Sequence, residues 1–143
     1  MLQARICMLV ALLVGAISPA TAEDYVVPTG VTVLTEEQLL KQIIGSTLMV
    51  GNKKYFEYFE SPTADEKKGR IKGKGPIGFY EGDWTVHGAL MCLHYDKISL
   101  VTYNNCHTTA LDGDTVTWYL ATGTPWYNKS PPIKLISGNY KNL

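Results

Sequence analysis

The chain lacks most of the features by which a sequence declares its chemistry. There is no G-x-S-x-G elbow, no C-x-x-C or H-x-x-x-H pair and no internal repeat. An excess of one charge is missing too, since 13 Lys+Arg balance 13 Asp+Glu. A near-neutral protein has no global field for gathering nucleic acid or an anionic membrane, so nucleic-acid binding is not expected. Long apolar runs are scarce. The one from Ile6 to Ile17 is shorter than the ~20 residues that cross a bilayer, so an integral membrane protein is not expected either.

That run has the makings of an address. Arg5 precedes it, Ser18-Pro19 follow, and Ala20-Thr21-Ala22 stands just before Glu23-Asp24. A basic start, a short apolar stretch and an A-x-A site describe a cleavable secretory signal over residues 1–22. The expected location is periplasmic or secreted. Cleavage leaves roughly 120 residues, enough for one domain and too few for two. Cys7 leaves with the signal, and Cys92 and Cys106 remain. An even pair in an oxidising compartment predicts a disulfide, closing a loop of about 15 residues worth roughly 3 kcal/mol in the chain-entropy model.

The mature chain opens with an extended arm, 23–33, broken at Pro28-Thr29-Gly30. Thr35 and Gln38 have the spacing of a capping box, and Leu34 and Leu39 that of its hydrophobic staple. Leu39, Leu40, Ile43 and Ile44 share one face and Gly45 supplies a stop, which predicts a helix over 36–44. Strand patterns follow at 46–50, 54–60, 77–80, 83–87, 89–95, 98–103, 106–111, 115–122 and 132–137. Turns are expected at Gly51-Asn52, Asp96-Lys97 and Asp112-Gly113. Residues 61–76, rich in Lys and Gly, are expected to form a long mobile hairpin loop. The fold class is mainly β: a short N-terminal helix, then an antiparallel meander of about seven or eight strands over 34–143. Curling such a sheet into a small lipocalin-like barrel manages its edges best. A tight turn at Asp96-Lys97 sets Cys92 opposite residue 101 rather than 106. Either the cysteines join non-neighbouring strands, or Tyr103–Asn105 folds back as a loop.

Each candidate site has an ordinary counterpart. Gly73 to Gly78 spells G-x-G-x-x-G, but Pro76 and strand-like residues replace the helix that the phosphate fingerprint requires. Lys67, Lys68, Arg70, Lys72 and Lys74 offer an anion or partner contact, whether lipid headgroup, polysaccharide or acidic protein, or else a solvated loop. His87, His94 and His107 with the two cysteines invite a metal reading, which a disulfide removes; we expect no metal and no cofactor. Asp112-Gly113-Asp114 is a turn without the twelfth-position Glu of a calcium loop. Asn128-Lys129-Ser130 is a glycosylation sequon by pattern only, with Pro131 behind it. Tyr55, Phe56, Tyr58, Phe59, Trp84 and Trp118 form the candidate lining of a ligand pocket, since a barrel of this size can hold one small molecule.

Gly82-Asp83-Trp84-Thr85-Val86, Leu90-Met91-Cys92, Cys106, Asp112-Gly113-Asp114 and the closing Gly138-Asn139 with Leu143 carry a resemblance. The chain resembles a group of small uncharacterised proteins exported by Gram-negative bacteria. They share an early Leu-rich helix ending in Gly, a G-x-W motif, two spaced cysteines and a G-N-x-x-L-like end. The likeness covers about 34–143 and departs at 61–75, where a tight Gly turn is usual, and at Tyr140, where proline is common. It implies a small β-rich envelope domain and no chemistry. The expected function is a non-enzymatic exported domain that binds or supports another envelope component, of which the partner is unknown. The alternatives are a carrier of a small apolar or aromatic ligand, metal binding, and enzyme inhibition.

Overall fold

The computed structural model describes residues 24–51, 53–61, 67–98, 101–126 and 132–143. The apolar leader, Asn52 of the first expected turn, part of the expected 61–76 loop and the sequon lie outside them. The described residues form one helix, α1 (Glu36–Gln42), and eight strands. These are β1 (Ser46–Val50), β2 (Tyr55–Phe59), β3 (Lys68–Gly75), β4 (Gly78–His87), β5 (Leu90–Ile98), β6 (Val101–Asp112), β7 (Thr115–Tyr119) and β8 (Ile133–Ser137). Each strand pairs antiparallel with the next, and β8 returns to β1, so the sheet closes into a small barrel. Closure joins the two outermost strands of the meander, although β7 and β8 meet only at Thr115–Lys134 and Val116–Ile133.

The helix forms for the reasons its sequence states. Gln38 N–H donates to Thr35 Oγ1 at 3.3 Å, and Thr35 N–H donates to Gln38 Oε1 at 2.9 Å. It is shorter than expected, with Ile43 as its C-cap. Gly45 turns the chain at φ +80° and donates its N–H to Phe59 O. Leu39 and Ile43 are fully buried, so α1 covers one end of the barrel. Glu36 ties it down there, accepting from Gly88 N–H in the β4–β5 turn and pairing with Lys67.

The Lys- and Gly-rich stretch corrects the expectation of a long loop, because its second half is β3. Its residues alternate strictly. Lys68, Arg70, Lys72 and Lys74 face outward, while Gly69, Ile71, Gly73 and Gly75 face the interior. The glycines are there because large rings lie against them. A Cβ on Gly73 would fall 2.2 Å from the Tyr80 ring, and one on Gly69 would fall 2.7 Å from Trp84 Nε1. Strand period rather than loop chemistry governs the segment.

Two further expectations change. Where two strands each were expected, at 77–80 with 83–87 and at 98–103 with 106–111, Gly78–His87 is the single strand β4 and Val101–Asp112 the single strand β6. There is also no tight turn at Asp96-Lys97, because β5 runs on to Ile98 and β6 begins at Val101. The register slips between Tyr95 and Ile98, and Cys92 falls directly opposite Cys106 on neighbouring strands, with Cα atoms 3.9 Å apart. The disulfide forms, and both arrangements considered for it from the sequence are replaced by a direct cross-strand pair.

Both termini of the described chain lie on the outside. Val26 N–H reaches Ala121 O and Leu34 N–H reaches Thr109 O, which straps the arm over β6 and the residues after β7. At the other end the Thr47 hydroxyl donates to Gly138 O at 2.6 Å and accepts from Tyr140 N–H at 3.1 Å. The Asn139 side chain bonds both the N–H and the C=O of Leu143, so the G-N-x-x-L pattern closes a turn on itself.

Candidate functional site

Inside the barrel, alternation along β2 sends Tyr55, Glu57 and Phe59 inward and Phe56 and Tyr58 outward. Glu57 is therefore an acid in an apolar interior, only 8% exposed, at the end away from α1. A buried carboxylate is tolerated only with donors. Two phenols supply them. Tyr80 Oη donates to Glu57 Oε1 at 2.7 Å, and Tyr95 Oη donates to Oε2 at 2.9 Å. The two rings meet edge to face at 5.9 Å. Desolvation raises the Glu57 pKa above the ordinary glutamate value, and the two hydroxyl bonds pull it partly back. The inward glycines at 73 and 75 let the Tyr80 and Tyr55 rings lie close to β3 around this carboxyl.

The α1 end holds different chemistry. His107 on β6 stacks on Trp118 at 5.4 Å and tilts against Trp126 at 5.2 Å, and the two indoles are 5.3 Å apart. Burial pushes the His107 pKa down to about 4, so the ring is neutral near pH 7. Trp84 is fully buried and donates Nε1–H to Glu60 O at 3.1 Å. Trp118 Nε1 and Thr109 Oγ1 are buried without a hydrogen-bond partner among the described residues.

The chain matches no family model, no curated protein and no solved structure. The site is therefore read from its own geometry.

The structure divides the candidate pocket lining. Tyr55, Phe59, Trp84 and Trp118 face the interior, Phe59 and Trp84 being fully buried. Phe56 and Tyr58 lie on the outer face, where the period of two puts them once Glu57 is inside. Phe56 stacks there on Tyr140 at 5.9 Å.

The candidate anion contact is also divided. Arg70 pairs with Asp83 at 2.7 Å and Glu81 at 2.9 Å, and Lys72 pairs with Glu60 at 2.7 Å. Lys67 pairs with Glu36. Carboxylates of adjoining segments thus already neutralise three of the five cations. Lys68 is exposed, and Lys74 sits 5.3 Å from the Phe79 ring centre. Among the described residues no group of three or more His, Cys, Asp or Glu side chains could hold a metal ion, and no helix is long and apolar enough to cross a membrane. A surface depression of about 520 Å³ lies along α1, lined by Thr35, Glu37, Gln38, Lys41 and Gln42.

Glu57 is the residue that the sequence reading overlooked. Alternation alone did not mark it, because Phe56 and Tyr58 give the opposite face of the strand an equal aromatic claim.

Proposed function

We propose that the chain is an exported, non-enzymatic domain that binds or supports another envelope component, through the end of the barrel opposite α1. The observation that carries this reading is Glu57, a carboxyl buried inside the barrel and held between the Tyr80 and Tyr95 hydroxyls. A stable fold has no need of a desolvated acid, since an apolar residue would serve the core better. An acid placed there suits recognition of a polar group brought to that end. The leader-like residues 1–22, the disulfide and the resemblance to small exported Gram-negative proteins support an oxidising compartment.

The carrier reading keeps only the same end of the barrel. Phe59 and Trp84 are covered completely by the chain's own atoms, and Trp118 nearly so, which leaves the α1 half to the core.

The test compares native protein with Glu57→Gln after purification from envelope. Mass spectrometry of the extracted protein is expected to find a component that the variant loses while its circular dichroism is unchanged. If both preparations carry nothing and deletion of the gene leaves the envelope unaltered, the reading is refuted.

A further inference from the structure

The outer wall at the end away from α1 combines unpaired cations with exposed apolar side chains. Cross-strand register sets Phe56 beside Lys74, and Lys74 beside Phe79, in one row on the outside of β2, β3 and β4. The Lys74 ammonium lies over the Phe79 ring, and that of Lys141 lies 4.8 Å from the centres of both Phe56 and Tyr140. Lys53 and Lys54 are exposed in the neighbouring β1–β2 turn. Among the described residues none of these four lysines forms an ion pair, whereas Lys67, Arg70 and Lys72, further toward α1, all do. The β3–β4 turn projects from the same region, with Ile77 82% and Phe79 75% exposed, and Tyr140 is 53% exposed.

Each element has an ordinary explanation alone, but together they describe one kind of surface. Exposed large apolar side chains in a cluster mark an interaction site rather than chance. Lysines anchored over aromatic rings keep their charge at the level of those rings. An apolar tip, a ring of aromatics and a set of cations is the arrangement that meets an anionic bilayer, with apolar groups at the acyl boundary and lysines at the headgroups. A polysaccharide would employ the lysines and leave Ile77 and Phe79 without purpose. The protein's overall neutrality is no obstacle, because headgroup attraction is felt within a Debye length of about 8–10 Å.

We propose that this face, formed by Lys53, Lys54, Lys74, Ile77, Phe79 and Lys141, docks the barrel on an anionic phospholipid surface. The inference does not depend on Glu57 or on a ligand inside the barrel.

The experiment is sedimentation of the full processed protein with vesicles of phosphatidylcholine alone or mixed with phosphatidylglycerol. Binding is expected only to the mixed vesicles, weakening as salt is added. Lys74→Gln and Lys141→Gln are each expected to weaken it about fivefold. Ile77→Ser with Phe79→Ser is expected to weaken it tenfold or more, at roughly the transfer value of such side chains. Lys41→Gln, the same charge change on α1, is expected to have no effect. All five positions are exposed, so thermal unfolding should stay close to that of the native protein and report any variant that misfolds. The proposal is overturned by absence of binding, by equal binding to phosphatidylcholine alone, or by an equal loss in Lys41→Gln. Binding to soluble dextran sulfate that matches the vesicles and survives the Ile77/Phe79 change would overturn it in favour of a polyanion.

Discussion

At the α1 end of the barrel His107 lies against Trp118 and Trp126, while at the far end Glu57 lies between Tyr80 and Tyr95. Both groups titrate, both are buried, and the same strands carry both ends. Desolvation disfavours charge on each, so it lowers the base and raises the acid. The neighbours differ in kind. Aromatic faces around His107 add to an apolar core, whereas phenol hydroxyls around Glu57 remain hydrogen-bonding groups that a bound molecule could exchange for its own. Both ends bury polar groups, His107, Thr108 and Thr109 at one and Glu57 at the other, but Glu57 is the acid held between two phenol donors. The difference teaches that a barrel this small can surround one buried titratable group with rings and give another hydrogen-bond donors.

The comparison can be broken most severely at Trp84. Trp84→Ala removes a fully buried indole from the α1 end and is expected to cost about 3–5 kcal/mol in urea unfolding. Next comes acid. His107 binds a proton in the unfolded chain near the usual value of 6.5 but in the fold only at about 4. The unfolded state therefore holds more protons in that window, and stability falls as pH drops through it, by roughly 3 kcal/mol. Thermal melts from neutral pH down to the low fours measure that limb, and His107→Phe should flatten it. Of similar size is reduction of the disulfide. Cys92→Ser with Cys106→Ser is expected to lower stability by about 3 kcal/mol, read as a shift of the denaturant midpoint.

Smaller effects sharpen the far end. Gly73→Ala places a methyl where the Tyr80 ring lies and should cost about 1–3 kcal/mol, since Tyr80 must move and loosen its bond to Glu57. Glu57 itself is expected to change a slope. Its folded pKa is raised, so the stability linked to its proton is complete below the ordinary glutamate value and is lost as pH rises through the folded one. Glu57→Gln should remove that decline and leave the His107 limb untouched. A variant in which both limbs vanished together would show that the two ends are not independent.

The parts of the fold legible in the sequence were those whose causes are local. The capping box at Thr35 and Gln38 lies within one turn of chain, and the helix appears where that spacing puts it. A tight turn joins β6 and β7 one residue on from the expected Asp112-Gly113, since Asp112 pairs with Thr115 and Gly113-Asp114 form the loop, with Gly113 at φ +59°. What misled was composition judged without its neighbours. Residues 68–75 have the Lys and Gly content of a loop, and their true role depends on Trp84 and Tyr80, which a later strand brings against them. The pairing of Cys92 with Cys106 followed from their number, but the register that makes it possible depends on a slip after Tyr95 that no local residue announces.

The chain by itself determined that there would be one capped helix followed by a strand meander with two cysteines able to meet, because hydrogen-bond spacing, side-chain alternation and turn preference act over a few residues. Only the closed barrel decided which face of each strand is inside. Glu57 meets phenols 23 and 38 residues away, and Phe56, Lys74 and Phe79 form one outer row, because closure brings distant strands into register and sets the dielectric around each group. Burial, unlike spacing, is a property of the whole chain at once.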